Sequence, residues 1–162
     1  MGKYWIWKRL WDNDMKLLIL NGPNINFLGI REPDIYGKRT YKDLVDLIAG
    51  HAREMGIEVG FYQSNHEGAL VDAIQQAYDD GVDGIVFNPA AYTHTSVALL
   101  DAVKAVGIPV AEVHISDVDA REAFRRVNFI REAAVISVSG EGLEGYLHAM
   151  DALADYIRGK RS

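Results

Sequence analysis

The pattern that decides the fold first appears in residues 16–24, which read KLLILNGPN. A short run of leucine and isoleucine ends abruptly in a polar turn that contains Gly22 and Pro23. Short apolar runs of this kind are typical of strands that are covered on both faces. The sequence therefore predicts a buried strand that ends at this turn and places Asn24 just beyond its carboxyl end.

Four further runs repeat the pattern, at residues 59–64, 84–88, 109–114 and 134–139. Helical patterns with apolar residues at i, i+3, i+4 and i+7 lie between or after them, at residues 41–55, 68–79, 95–106 and 141–158. Strands that alternate with helices predict the α/β class, with a parallel sheet and helices on both of its faces.

The composition narrows the classes of function. With 162 residues and 49% hydrophobic content, the chain is typical of one soluble domain with a sizeable core. It has no cysteine, which excludes disulfides and thiolate metal sites. A net charge of −6, with only the short basic pair Arg125-Arg126, argues against nucleic acid as a partner. No apolar run approaches the roughly 20 residues of a membrane span.

The first fourteen residues, MGKYWIWKRLWDND, differ from the rest and hold all three tryptophans. They lack the long apolar core and small-residue cleavage site of a signal peptide. We interpret residues 1–14 as an extension and residues 15–162 as a single catalytic domain. The extension is either a leader, a tag remnant or misassigned start, or a native arm that packs on a neighbouring subunit.

Polar residues follow every predicted strand. In an open parallel sheet, ligands bind beyond the carboxyl ends of the strands. Histidines occur near three of these ends, at His66, His94 and His114. The neutral polar residues Asn88 and Ser116 lie at two of them. The functional site is therefore expected at this edge of the sheet.

Glu112 and His114 form the first candidate catalytic pair. They are two residues apart on a predicted strand, so both side chains point to the same face. A carboxylate beside an imidazole fixes its tautomer and favours its protonated form, as a general acid requires. Two alternatives stay open here: a structural strand-end histidine, or a zinc site, which would need a third ligand.

Residues 29–37, GIREPDIYG, contain the second candidate pair, Arg31 and Tyr36. Flanking glycines and Pro33 predict a loop. Holding a phenol ionised at pH 7 costs about 4 kcal/mol. A cation about 4 Å away supplies about 4 kcal/mol at an effective dielectric near 20. Arg31 could therefore make Tyr36 a general base on a lid that excludes water. The alternative is a surface loop with a packed aromatic ring.

Gly140, Gly142 and Gly145 match the spacing G-x-G-x-x-G of a dinucleotide-binding turn. The strand and acidic residue that should follow such a turn are missing from the chain. We interpret the glycines as a tight turn with close helix–sheet packing.

Six motifs resemble, in order and spacing, those of the type II 3-dehydroquinate dehydratase family. They read LNGPNINFLGIREPDIYG (20–37), QSNHEG (63–68), NPAAYTHTS (88–96), EVHIS (112–116), AREAFRR (120–126) and GEGLEGY (140–146). The resemblance runs from Met15 to the last helix. It implies a flavodoxin-like three-layer fold with strand order 2-1-3-4-5. It also implies dehydration of 3-dehydroquinate to 3-dehydroshikimate in the shikimate pathway, by anti elimination through an enolate. Biosynthetic and quinate-degrading roles share this step.

The resemblance assigns a role to each matching residue. Tyr36 takes a proton from the carbon beside the ketone and Arg31 activates it. Asn24 positions a water that stabilises the enolate. His114, oriented by Glu112, protonates the departing hydroxyl. The residues that hold the substrate are Asn88, His94, Arg125 and, through backbone amides, Ile115 and Ser116.

The resemblance also implies no metal or organic cofactor, a cytoplasmic location, and a homododecamer built from trimers. Asp101 is expected to reach the site of a neighbouring subunit. The chain departs from the family pattern at Leu100, in residues 127–132 (VNFIRE) and in residues 1–14. We expect the first two departures to affect subunit contacts and none to touch the catalytic residues.

Two rival functions are a flavodoxin-like signalling or binding module and a flavin- or nucleotide-binding protein. The first would not need Arg31, Tyr36 and His114 together. The second would carry a bound chromophore or nucleotide after purification.

Overall fold

A computed structural model describes residues 15–30 and 32–162. Five parallel strands form one sheet in the order β2-β1-β3-β4-β5. They are β1 (Lys16–Asn21), β2 (Glu58–Gln63), β3 (Gly84–Asn88), β4 (Val110–His114) and β5 (Ile136–Ser139). The predicted α/β class and flavodoxin-like strand order are confirmed. The predicted extension lies outside the described residues.

Within residues 15–30 and 32–162, five α-helices accompany the sheet. They are α1 (Pro33–Tyr36), α2 (Tyr41–Met55), α3 (Glu67–Asp79), α4 (Val97–Val106) and α5 (Gly145–Arg161). The four long helices match the predicted ones within a few residues. The largest difference is at α5, which begins at residue 145 rather than 141 because residues 142–144 form a 3-10 turn.

Local signals explain where the helices begin and end. The Thr40 hydroxyl accepts the backbone N–H of Asp43, and the Asp43 carboxylate accepts that of Thr40, which caps the start of α2. Gly56 ends α2 in the left-handed region, with φ of 68°. The Ser96 hydroxyl caps α4 by accepting the backbone N–H of Leu99.

The central strand β1 is buried on both faces. Leu17 and Ile19 pack in one apolar cluster with α2 and α5, whereas Leu18 and Leu20 pack in a second cluster with α3 and α4. All four side chains are fully buried. The sheet is therefore held between two helical layers, which fixes the carboxyl ends of its strands as a rigid edge.

The prediction of an irregular loop at residues 29–37 is wrong for four of them, which form α1. Pro33 occupies the first turn, where its fixed φ favours a helix and its missing N–H costs nothing. Gly37 ends the helix with φ of 80°, a conformation that suits glycine. This short helix carries Tyr36 at its end.

The glycines after β5 form the tight turn that the sequence predicts. Gly140 and Gly142 adopt φ of 78° and 66°. A Cβ on Gly145 would lie 3.4 Å from the Val138 side chain, which is an ordinary van der Waals distance, so the packing of α5 on the sheet does not itself require glycine there. Within the described residues, none of the helices is both long and apolar enough to cross a membrane.

Candidate active site

The loops after β1 and β3 meet at the carboxyl edge of the sheet. The Gly22 N–H donates to the Asn88 carbonyl at 2.8 Å. A Cβ on Gly22 would lie only 2.4 Å from the Pro89 carbonyl oxygen, so no larger residue fits without a backbone shift. This close approach brings Asn24 and Asn88 to the wall of one narrow cleft.

Asn24 is held by the loop after β2. Its backbone has φ of 68°, which asparagine tolerates better than most residues. The Asn24 N–H donates to the Asn65 side-chain oxygen at 3.0 Å. The Gln63 amide donates to that same oxygen at 3.1 Å and to the Gly22 carbonyl at 3.2 Å. The motif QSNHEG therefore supports Asn24, a role that the sequence analysis did not assign to it.

The predicted Glu112–His114 pair is formed and buried. Glu112 is 0% and His114 4% exposed. His114 Nε2 lies 3.3 Å from Glu112 Oε1. This is a close polar contact rather than an aligned hydrogen bond, since Nε2 has no hydrogen-bond partner among the residues that the structure describes. His114 lines the cleft, whereas Glu112 lies behind it.

Two residues from the divergent segment 127–132 also contact Glu112. The Asn128 amide donates to Glu112 Oε1 at 2.9 Å, and Arg131 Nε lies 3.6 Å from the same oxygen. The expectation that this departure would not touch the catalytic residues is therefore wrong. The physical reason is that the chain from residue 127 to 132 folds back against β4, which spacing in the sequence does not reveal.

Opposing effects act on the Glu112 carboxyl. Burial acts to raise its pKa, because an ion is costly in an apolar interior. The contact and charge of His114, the Asn128 amide and the charge of Arg131 all act to lower it. The lowering effects prevail, so the pKa of Glu112 lies below its usual value and the carboxylate stays ionised beside His114.

Tyr36 meets an arginine that the sequence analysis did not single out. Arg121 Nη1 donates to the Tyr36 hydroxyl oxygen at 2.7 Å, and both side chains line the cleft. Arginine only donates hydrogen bonds, so the phenolic oxygen is the acceptor, as a phenolate would be. The only signal in the sequence was the place of Arg121 in the motif AREAFRR. Arg31, the predicted activating cation, lies outside the described residues.

Glu122 connects the two arginines of the cleft. Its Oε2 accepts a hydrogen bond from Arg125 Nε at 2.8 Å and lies 3.6 Å from Arg121 Nε. One carboxylate therefore helps to position both the arginine beside Tyr36 and the arginine predicted to bind substrate.

Asn88 is fixed by a buried chain of hydrogen bonds. Its amide donates to the Tyr146 hydroxyl at 2.9 Å, and Tyr146 donates to Asn21 Oδ1 at 2.6 Å. Burial raises the pKa of Tyr146, so this phenol keeps its proton and can donate it to Asn21. The two tyrosines thus differ by environment: Tyr146 is a buried donor, whereas Tyr36 faces a cation.

Most of the predicted site residues line the one cleft. They are Asn24, Tyr36, Asn88, His94, His114, Ile115, Ser116 and Arg125. His94 is anchored by a contact of 2.7 Å between Nδ1 and the Val127 carbonyl. Asp101 is exposed on α4 and is not part of the cleft wall.

A larger groove lies at the amino edge of the sheet. Its volume is about 540 Å³, whereas the volume of the cleft is about 50 Å³. Its wall includes Val103, Ile108, Tyr156 and Lys160. Among the described residues of its wall, Asp83 is paired with Arg161 at 2.6 Å and there is no histidine, so chemistry rather than size identifies the candidate site. No group of three or more histidine, aspartate or glutamate side chains that could hold a metal occurs in residues 15–30 and 32–162.

The fold and cleft define an α/β protein of flavodoxin-like topology with a candidate acid–base site at the carboxyl edge of its sheet. A sequence model described as "Dehydroquinase class II" matches residues 15–154. The chain therefore belongs to the type II dehydroquinase family, and it is an enzyme of the hydro-lyase class.

Individual relatives agree with the family assignment. The chain is 54% identical over 142 residues to the 3-dehydroquinate dehydratase of Lachnospira eligens, covering 87% of this chain and 97% of the relative. It is 49% identical over 142 residues to that of Caldicellulosiruptor saccharolyticus, with 88% and 98% coverage.

Solved structures show the same likeness. The type II dehydroquinase of Butyrivibrio crossotus is 51% identical and superposes with a TM-score of 0.85, over 86% of this chain and 97% of the other. That of Propionibacterium acnes is 39% identical with a TM-score of 0.84, over 88% and 98%.

Proposed function

We propose that the chain converts 3-dehydroquinate to 3-dehydroshikimate by anti elimination of water through an enolate. The observation that supports this most is the Tyr36–Arg121 hydrogen bond of 2.7 Å in the same cleft as His114. A base beside a cation and an acid beside a carboxylate are the two groups that the reaction needs.

In the proposed first step, the Tyr36 phenolate removes a proton from the carbon beside the ketone. The C–H electron pair moves toward the carbonyl oxygen and forms an enolate. Asn24, at the wall of the cleft, positions a water that stabilises the enolate oxygen. Arg121, and Arg31 as the sequence predicts, stabilise the phenolate before the proton is taken.

In the second step, the enolate electrons form the new C=C bond and the C–O bond to the hydroxyl breaks. His114 gives its proton to the leaving hydroxyl, which departs as water. Glu112 stabilises the protonated imidazole beforehand. The proton gained by Tyr36 and the proton lost by His114 balance, so solvent exchange restores both groups and no cofactor is consumed.

Substrate binding is assigned to Asn88, His94, Arg125 and the backbone amides of Ile115 and Ser116. All five residues line the cleft. Arg125 supplies the positive charge that a carboxylate substrate needs, and its guanidinium is already oriented by Glu122. Asn88 is fixed by Tyr146, so it presents a preorganised polar group.

The proposed assembly is a homododecamer of four trimers in the cytoplasm, with Asp101 reaching a neighbouring subunit's site. Asp101 is exposed on α4, and Val97 on the same helix is 50% exposed. Phe124 and Val127, beside the cleft arginines, are 68% and 50% exposed. A subunit contact over these positions would cover three exposed apolar side chains. Light scattering of the purified protein tests the assembly, and a monomer would contradict it.

The reaction is tested by adding 3-dehydroquinate and following the ultraviolet absorbance of the conjugated enone. The stereochemistry is tested with substrate in which deuterium replaces one of the two hydrogens on the carbon that loses a proton. We expect loss of the hydrogen on the face opposite the hydroxyl. Loss from the same face would contradict the anti course, and no enone would contradict the function.

A further inference from the structure

Three groups converge on one oxygen behind the cleft. Glu112 Oε1 accepts the Asn128 amide at 2.9 Å and lies 3.3 Å from His114 Nε2 and 3.6 Å from Arg131 Nε. Glu112 is fully buried, so its charge acts where water screens little. His114 therefore shares the Glu112 carboxylate with Asn128 and Arg131.

Arg131 is held in this position by two further contacts. Its backbone N–H donates to the Asn128 side-chain oxygen at 2.9 Å, and its Nη1 lies 3.4 Å from Asp119 Oδ2. Asn128 thus contacts both Glu112 and the backbone of Arg131. The guanidinium lies between a buried and an exposed carboxylate, with its side chain 40% exposed.

A protonated His114 and Arg131 would repel each other electrostatically. His114 Nε2 and Arg131 Nε lie 3.3 and 3.6 Å from the same oxygen, so they are less than about 7 Å apart. A like charge at that distance disfavours the protonated imidazole, whereas Glu112 favours it. Arg131 and Glu112 therefore act on a protonated His114 in opposite directions.

We infer that Arg131 is a positioning residue that lowers the pH at which His114 loses its proton, by sharing Glu112 with it, and that Asn128 holds this arrangement in place. The inference rests on the proposed function only for its effect on turnover. Arg131 and Asn128 belong to the segment in which this chain departs from the family pattern.

Other charged groups nearby do not reproduce this arrangement. Opposite Glu112 on the neighbouring strands are Phe87 and Ser137, and opposite His114 is Ser139, none of which carries a charge. The titratable or charged side chains that share the cleft wall with His114 are Tyr36, His94, Arg121 and Arg125. The contacts that the described residues make with the Glu112 carboxylate come from His114, Asn128 and Arg131.

The first test is a titration of the His114 ring by NMR in the resting protein. Arg131→Gln removes the charge while keeping a long polar side chain. We expect the midpoint of the His114 titration to rise by about one pH unit. Arg126→Gln is the matched control, since Arg126 is an exposed arginine immediately before segment 127–132, and should leave the midpoint unchanged.

For two more variants, the direction of the shift in the His114 midpoint can be predicted. Arg131→Lys keeps a charge and should shift the midpoint by less than half as much as Arg131→Gln. Asp119→Asn removes the anion that partly neutralises Arg131, so the midpoint should fall. Circular dichroism confirms that each variant is folded. An unchanged midpoint in Arg131→Gln, or an equal rise in Arg126→Gln, would overturn the inference.

The second readout is the pH dependence of kcat. In Arg131→Gln the alkaline limb, on which His114 loses its proton, should move upward by the same amount as the NMR midpoint. Absence of turnover in the wild-type protein would refute the proposed function, but the NMR titration would still decide the inference. Normal turnover with an unmoved midpoint would refute the inference alone.

Discussion

Replacing Arg121 by glutamine should reduce kcat at pH 7 by about 10²-fold. The substitution removes the cation that donates to the Tyr36 oxygen at 2.7 Å but keeps a side chain that can donate a neutral hydrogen bond. A unit charge about 4 Å from a phenolate contributes about 4 kcal/mol at an effective dielectric near 20, equivalent to about 10³-fold. Arg121 is 16% exposed, and Arg31 is expected to supply a second positive charge. The expected fall in kcat is therefore about tenfold smaller than this limit.

The assay is the absorbance of the enone product, measured from acid to alkaline pH for the wild type, Arg121→Gln and Arg126→Gln. Below the pKa of a phenol, its ionised fraction rises about tenfold per pH unit, so the rate of Arg121→Gln should recover by up to about tenfold per pH unit. Binding of an inert substrate analogue should change little. A kcat within about twofold of the wild type, with the same pH profile, would show that Arg121 is a structural residue.

Three further predictions concern the buried contacts and the response of activity to removal of metal ions. Tyr146→Phe leaves the Asn88 amide and Asn21 Oδ1 without their buried partner. The free energy of unfolding, measured by urea titration, should therefore fall by about 1–3 kcal/mol, and KM should rise. No change in either quantity would contradict the role of Tyr146. Because the pKa of Glu112 is lowered in the fold, its stabilising contribution is present above the unfolded value of about 4.3 and is lost as pH falls through the folded value. Wild-type protein should therefore lose more stability than Glu112→Gln between about pH 5 and pH 3, and parallel losses in thermal melts would refute this. Activity should survive EDTA unchanged, and a loss restored by zinc or magnesium would contradict the proposed chemistry.

The sequence predicted the fold well because its signals are local. Runs such as residues 16–20 and 84–88 show a buried strand directly, and caps such as Thr40 and Gly56 mark a helix. Errors occurred where two signals compete. Pro33 favours a loop, but proline in a first helical turn is equally favourable.

The candidate site was predictable where the residues follow strands. Asn24, Asn88 and His114 come directly after or at the end of a strand, and the sheet brings them to one edge. Arg121 and Arg131 could not be located in this way, because they lie on 3-10 turns or irregular chain whose return path depends on tertiary packing. Tyr146 was hidden for another reason: its partner Asn21 is 125 residues away.

The most direct test of the central claim is the turnover of Tyr36→Phe on 3-dehydroquinate. This substitution removes one hydroxyl from a partly buried side chain and leaves Arg121, Glu112 and His114 in place. If Tyr36 is the base, kcat should fall by about 10²–10⁴-fold while the variant stays folded and still binds a substrate analogue. If the folded variant retains more than about a tenth of the wild-type rate, another group removes the proton and the proposed mechanism is wrong.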